Sequence, residues 1–485
     1  MGDNLKQKMV GALAWTSVDR FGQQIVQLVI GIVMARLLTP NDYGLIGMIM
    51  IFIALSSVLI DGGFGQALIR KIDANQTDFS TVFYLNLLVS VFIYIVLFFL
   101  SPQISSFFHQ PQLTLISRIL FLSIIFYAFY FVQYVLVVKE LAYKSLAKVN
   151  ISSTFFSGII GIILAIKGYG VWALVVQQLS FHLIRLILFF IIRKWRPRLL
   201  FSFIVIKDFW SFSINLLGSS ALNVIFNNIY LVLIGKFYPL KQVGYFTQAN
   251  RLSETVNYSF QQILQGGSYP LLVQIQDDEE RYRRVYKKMI HTISIFIFPL
   301  LFTLIAVSDS FIYILLSSKW MSSVILFQLL CLANIFTPFF GLNTSVLNSR
   351  GNSKESLYLE LIKKSLILVS IIASFKFGIT IMLISFVLAN FISYFVSILF
   401  IRSNINYKLV QQLKDILPSL GLSLIVTIVI VFFKNIVAIE NHYISFFLQL
   451  IIAFFIYLMF LIKFEQVLFS NIKNKVLLFL LKKKK

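Results

Sequence analysis

The chain has 485 residues, of which 59% are hydrophobic and 13% charged, with a mean hydropathy of +0.87. Ordinary globular domains are roughly 45–50% apolar and about 25% charged, so too little polar surface remains to cover a water-soluble core. The formal net charge of +23 does not define a nucleic-acid binder, because the basic residues stand in small groups between apolar runs rather than on one face or arm. Cys331 is the only cysteine, which excludes an intrachain disulfide and a thiolate metal site.

A helix needs roughly 20 apolar residues to cross a bilayer. Fourteen runs qualify: 10–38, 43–62, 80–101, 113–138, 149–167, 171–192, 209–236, 243–272, 288–307, 321–347, 359–376, 379–401, 414–434 and 443–463. The first follows Lys6 and Lys8 and carries Asp19 and Arg20, too long and too charged for a signal peptide. It reads as a retained first helix of an all-α polytopic membrane protein.

Lys and Arg in the loops set orientation. With the N-terminus inside, roughly three quarters of the 42 Lys and Arg fall on inside segments. The outside loops hold Arg36, Lys167, Lys236, Lys241, Lys319, Lys376 and Lys434. Both ends are therefore expected to be cytoplasmic. Outside loops are short, so no extramembrane domain is expected. The mixed-charge run Gln276 to Lys288 reads as the solvated start of span nine, and Lys482 to Lys485 as a contact with anionic headgroups.

The same punctuation occurs twice. Span one ends in Ala35-Arg36, followed by Pro40 and Tyr43-Gly44; span seven ends in Gly235-Lys236, followed by Pro239 and Val243-Gly244. Ile119-Leu120-Phe121 matches Ile325-Leu326-Phe327, and Lys167-Gly168-Tyr169-Gly170 resembles Lys376-Phe377-Gly378. Offsets near 200 residues divide the chain into an N-lobe, 1–208 with helices 1–6, and a C-lobe, 209–408 with helices 7–12. Helices 13–14 and a basic tail, 409–485, lie outside the repeat. Six crossings return the chain to its starting side, so the lobes form a parallel repeat with a substrate path between them.

A charge near the bilayer centre costs about 2.5–3.5 kcal/mol on insertion scales and usually faces a cavity or a partner. The intramembrane charges are Asp19, Arg20, Asp61, Arg118, Arg185, Arg251 and Glu254. Asp61 and Arg118 sit near span ends and read as structural, able to snorkel. Arg185 has His182 one turn earlier, and Arg251 and Glu254 are spaced to pair on one helix face. Span one carries Asp19, Gln23 and Gln27 at four-residue spacing, span seven carries Asn215, Ser219, Asn223 and Asn227 with Asn228 beside them, and span eight continues with Thr255, Tyr258 and Gln262. Such rows exceed what one helix contact needs and point to a water-filled cavity. The intramembrane charges by themselves do not prove an anionic substrate but permit one, since an arginine fork can bind a diphosphate bidentately while amides bind sugar hydroxyls.

No P-loop, HExxH or acidic metal pair occurs, and Gly62-Gly63-Phe64-Gly65 lies at a span end rather than between a strand and a helix. Cys331 lies in an apolar run and reads as packing. No enzyme activity and no cofactor are expected. A coupling ion is left open, because transport without a nucleotide site draws on an ion gradient, the membrane potential or the substrate gradient.

The stretch Ala35-Arg36-Leu37-Leu38-Thr39-Pro40-Asn41-Asp42-Tyr43-Gly44, followed by Asp61-Gly62-Gly63-Phe64-Gly65-Gln66-Ala67-Leu68-Ile69-Arg70-Lys71, resembles the opening of Wzx-type polysaccharide flippases. These belong to the multidrug/oligosaccharidyl-lipid/polysaccharide exporter superfamily. Tyr269-Pro270 and the Gln276-Asp277-Asp278-Glu279-Glu280 run resemble the second-half counterpart. The resemblance implies a MATE-like transporter, two six-helix bundles in a V around a polar cavity. It implies an inner-membrane flippase that turns undecaprenyl-diphosphate-linked oligosaccharide to the periplasmic leaflet for O-antigen, capsule or exopolysaccharide assembly. The implied partners are that lipid-linked substrate, membrane lipids and other polysaccharide-assembly proteins. By the same resemblance Arg20 and Arg251, with Arg185 third, engage the diphosphate. From the residues themselves, Asp19 and Glu254 are expected to balance Arg20 and Arg251, and the span-seven amides, with Asn223 and Asn227, to contact the sugars. The rival classes are an ion-coupled drug or cation antiporter, a membrane enzyme of polysaccharide assembly, and a passive scramblase.

Overall fold

The computed structural model describes residues 2–405, 407–437 and 441–464, without the side chains of 2–10, 12, 13, 258–267, 403, 461 and 464. The Lys482 to Lys485 run lies outside the described residues. The helices in chain order are α1 (Gly2–Leu37), α2 (Pro40–Asp61), α3 (Phe64–Arg70), α4 (Gln76–Phe107), α5 (Leu113–Leu120), α6 (Leu122–Lys139), α7 (Tyr143–Ile166), α8 (Val171–Ile192) and α9 (Phe203–Phe237). They continue with α10 (Leu240–Gln274), α11 (Glu279–Ala306), α12 (Ser308–Leu316), a 3-10 turn (Ser318–Ser323), α13 (Val324–Asn334), α14 (Thr337–Ser349), α15 (Ser353–Ser374), α16 (Ile379–Ile405), α17 (Leu409–Ile436) and α18 (His442–Phe464).

Each of the fourteen expected spans falls on a helix or a run of adjoining helices. Among the described residues, 11 such stretches are long and apolar enough to cross a membrane. The remaining three are α1, α10 and α15: polar side chains interrupt α1 (Asp19, Arg20, Gln23 and Gln27) and α15 (Glu360, Lys363 and Lys364), and part of α10 lies outside the described side chains. Spans four and ten are broken, at Phe121 and at Ile335–Phe336.

Helix ends follow local chemistry. Thr39 and Asp42 cap α2 reciprocally, with Pro40 in the first turn. Asn75 caps α4 by accepting from Thr77 N and Asp78 N, and Asp78 accepts from Asn75 N at 2.9 Å. Lys71 Nζ donates to Asp78 at 2.9 Å, which raises the Lys71 pKa. Gly62 and Gly63 have φ of 54° and 80°, and the Asp61 carboxylate accepts from Gly65 N at 3.1 Å. The Gly62-to-Gly65 run is thus a helix break, and Asp61 is its cap.

Residues up to Gln248 form one compact unit and those from Ala249 a second. In the first, α9 packs on α2, α3 and α4. Two glycines matched by the repeat, Gly44 and Gly244, meet there. A Cβ on Gly44 would come within 2.6 Å of the Leu240 carbonyl oxygen, and one on Gly244 would overlap the Pro40 backbone. The basic segment before α9 lies on the start of α4: Trp195 Nε1 donates to Gln76, Arg198 N to Ser80 and Ser202 N to Thr81. Beneath it Phe64, Leu68, Phe79, Phe83, Phe131 and Phe209 form a core. In the second unit α17 packs on α11, and Val426, Ile430, Val307 and Ala453 form a core with α18.

Candidate functional site

In the first unit, α1, α7 and α8 bring a carboxylate, an amide and a guanidinium together. Asp19 is buried, and Asn150 Nδ2 donates to both its carboxylate oxygens at 3.1 Å. The charges of Arg185 and Arg20 both act on Asp19. The Arg185 guanidinium lies 5.0 Å from the Tyr130 ring centre and within 5.8 Å of those of Tyr134, Phe181 and Phe189. His182 Nδ1 and Tyr130 OH are 3.0 Å apart. Such an aromatic cage fixes a cation by ring-face attraction and restricts its movement. Buried Arg185 Nε, Asn150 Oδ1 and Ser153 Oγ have no hydrogen-bond partner among the described residues. Arg20, next to Asp19 in the chain, is exposed.

The row on α9 takes a different form. Asn223 and Asn227 are exposed, as are Asn215 and Ser219. Asn215 Nδ2 donates to the Ser211 carbonyl, Asn228 Nδ2 to the Val224 carbonyl and Ser219 Oγ to the Leu216 carbonyl. These side chains each spend a donor on their own helix. The side-chain oxygens of Asn215, Ser219 and Asn228 keep acceptor capacity, which suits hydroxyl-rich partners.

In the second unit, α10 is fastened to α13 by a clasp: Asn257 Nδ2 donates to Asn334 Oδ1, and Asn334 Nδ2 to Ser253 Oγ. Arg251 and Glu254 are exposed on the same helix. The expected pairing of these two is not made among the described residues; instead Asn250, one turn earlier, donates to Glu254 Oε1 at 2.9 Å. Thr255 Oγ1 donates to the Arg251 carbonyl. The side chains of Tyr258 and Gln262 lie outside the described residues. Between α11, α17 and α18 runs an apolar groove of about 500 Å³, lined by Phe296, Pro299, Leu422, Leu450 and Phe454 among others.

Arg118 is structural, as its place near a span end suggests: Nε donates to Ser101 at 2.8 Å and the guanidinium covers Phe98. Cys331 is fully buried. Sequence reasoning missed Asn150 and Asn334. Their signal was an amide inside an apolar run without a repeating row, which by itself is indistinguishable from a helix-packing contact.

The fold and its two polar patches define an all-helical multi-pass membrane protein with polar groups exposed on spanning helices. The fold is similar to that of the lipid II flippase MurJ in an inward closed conformation, with a TM-score of 0.72 at 16% identity, covering 93% of this chain and 99% of that one. It is also similar to a multidrug resistance MATE family transporter in an inward-facing conformation, with a TM-score of 0.58 at 16% identity, covering 81% and 98%. The chain belongs to the polysaccharide biosynthesis protein family, which matches residues 33–325. The stretches Ala35 to Gly44 and Asp61 to Lys71 lie inside that match. Similar relatives include the teichuronic acid biosynthesis protein TuaB of Bacillus subtilis (strain 168), 26% identical over 356 residues, 73% of each chain. The lipopolysaccharide biosynthesis protein WzxC of Escherichia coli (strain K12) is 23% identical over 341 residues, 68% of each.

Proposed function

We propose that the protein is a flippase that moves undecaprenyl-diphosphate-linked oligosaccharide from the cytoplasmic to the periplasmic leaflet of a bacterial inner membrane. The observation that carries this reading is the exposed polar row of α9, Asn215 to Asn227, on a helix long and apolar enough to span a bilayer. Unaided passage of a diphosphate-sugar headgroup through hydrocarbon is prohibitive, since each buried charge or unpaired hydroxyl costs several kcal/mol. The α9 acceptors suit sugar hydroxyls, and Arg20, Arg251 and Arg185 are the cations assigned to the diphosphate. The apolar groove of α11, α17 and α18 suits a polyprenyl chain that stays in the bilayer.

Movement proceeds by alternating access of the two repeats, 1–208 and 209–408, with both chain ends cytoplasmic as the loop charges favour. No chemical step and no cofactor are assigned. Asp19, held by Asn150 beside two arginines, is the group assigned to a coupling ion or proton. The repeat unit then feeds O-antigen, capsule or exopolysaccharide assembly, where other assembly proteins receive it.

The test is transfer in proteoliposomes. Labelled undecaprenyl-diphosphate oligosaccharide is placed in one leaflet, and its arrival in the other is read with an impermeant probe. Protein-dependent transfer that is lost in Arg251→Ala supports the reading. No transfer by correctly inserted protein, across several repeat units and with an ion gradient imposed, rejects it in favour of the antiporter.

A further inference from the structure

The second unit holds a pocket of about 140 Å³ lined by α14 and α15, with Ser268 of α10 at its edge. A buried water occupies about 10–15 Å³ on this measure, so the pocket takes on the order of ten waters or one small polar group. Glu360 and Lys363 both line it, one turn apart on α15. Opposite charges at this spacing ordinarily pair. Here neither side chain has a hydrogen bond or an ion pair within 4 Å among the described residues, although the two charges act on each other through space. The Lys363 ammonium lies 4.3 Å from the centre of the Phe340 ring, which holds it against α14. Thr344 and Ser345 donate to the Gly341 carbonyl at 2.8 and 2.9 Å, so their oxygen lone pairs remain as acceptors. A Cβ at Gly341 would touch nothing within 4 Å, so the helix surface there is open.

The pocket thus offers a strong donor, a strong acceptor and two hydroxyl acceptors in a space too small for an alkyl chain with polar ends. A diphosphate would meet the Glu360 charge, and a simple cation would meet Lys363. Hydrocarbon would leave both groups without a hydrogen-bond partner. A polyhydroxylated ring satisfies all of them, because each sugar hydroxyl donates to a carboxylate and accepts from an ammonium. The exposed apolar residues of α15, Leu357, Leu361, Val369 and Ile372, lie on another side of the helix. The polar pair therefore does not belong to the helix's lipid-suited stripe.

We infer that this pocket is a monosaccharide subsite, with Glu360 as acceptor and Lys363 as donor. The inference rests on the flippase reading for the source of the sugar, but its test does not. The full-length protein in nanodiscs is reductively methylated, and Lys363 is followed by mass spectrometry with the other lysines as internal controls. Glucose, galactose, N-acetylglucosamine, glucuronate and inorganic diphosphate are the probes. At least one sugar is expected to slow Lys363 methylation selectively by about tenfold, with diphosphate inactive and the protection lost in Glu360→Gln. Protection by diphosphate alone, protection by no sugar, or an equal effect on all lysines overturns the subsite. Protection without lipid transfer in proteoliposomes leaves the subsite standing and sinks the flippase. Transfer without protection does the reverse.

Discussion

At the scale of single residues, the arrangement around Asp19 has the sharpest consequences. Its two oxygens are both held by Asn150, so removing the charge while keeping the size separates electrostatics from packing. Asp19→Asn is expected to insert normally and to abolish the dependence of transfer on an imposed ion gradient, measured in the same proteoliposome assay. Unchanged gradient dependence would remove Asp19 from coupling. Arg185 is caged by four rings, and Lys presents a compact point charge where Arg presents a plane. Arg185→Lys is therefore expected to lower transfer about tenfold or more, a loss of at least about 1.4 kcal/mol in the limiting step. Cys331 is completely buried in α13. It is expected to resist a membrane-permeant maleimide in the native protein and to react after denaturation, as intact mass will report.

At the scale of elements, short contacts and caps decide where helices begin and how close they come. Asn75 satisfies two backbone donors at the start of α4, and Asn75→Ala is expected to cost about 1 kcal/mol. Gly44 and Gly244 let α2 and the start of α10 approach backbone to backbone. Gly244→Val forces a side chain into the Pro40 backbone, which no rotamer relieves. It is expected to destabilise the purified protein by about 1–3 kcal/mol or more, read as a lower melting temperature in detergent. Gly341→Ala, where a Cβ meets open space, is the matched control and is expected to melt within a degree or so of wild type. The repeat in the sequence has a physical basis at this point, since both copies need a residue without a side chain shortly after a proline.

At the scale of the whole molecule, the loop charges make a topological prediction. In a Cys331→Ala background, Lys144→Cys is expected to label from the cytoplasmic side and Lys167→Cys from the periplasmic side. Labelling of both from one side would overturn the orientation. The long apolar runs of the sequence by themselves determined that this is a multi-pass helical membrane protein and where nearly every helix lies. They could do so because hydrocarbon demands that each spanning segment satisfy its own backbone hydrogen bonds, a requirement written locally in about 20 residues at a time. The motif between Ala35 and Lys71 likewise marked the family, since its proline, cap residues and paired glycines are fixed by turn geometry.

Only the tertiary structure decided which polar groups meet. Asp19 and Asn150 are 131 positions apart, and Asn334 reaches Asn257 across 77. Arg251 and Glu254, one turn apart on one helix, do not pair; the Glu254 carboxylate accepts from Asn250 instead. Glu360 and Lys363 stand one turn apart with no motif around them, and their shared pocket depends on α14 standing beside them. The periodicity of a helix shows which residues share a face, but the face it presents to a neighbour depends on rotation about its axis. That rotation is set by packing against helices far away in the chain, so the site emerged only once the helices were assembled.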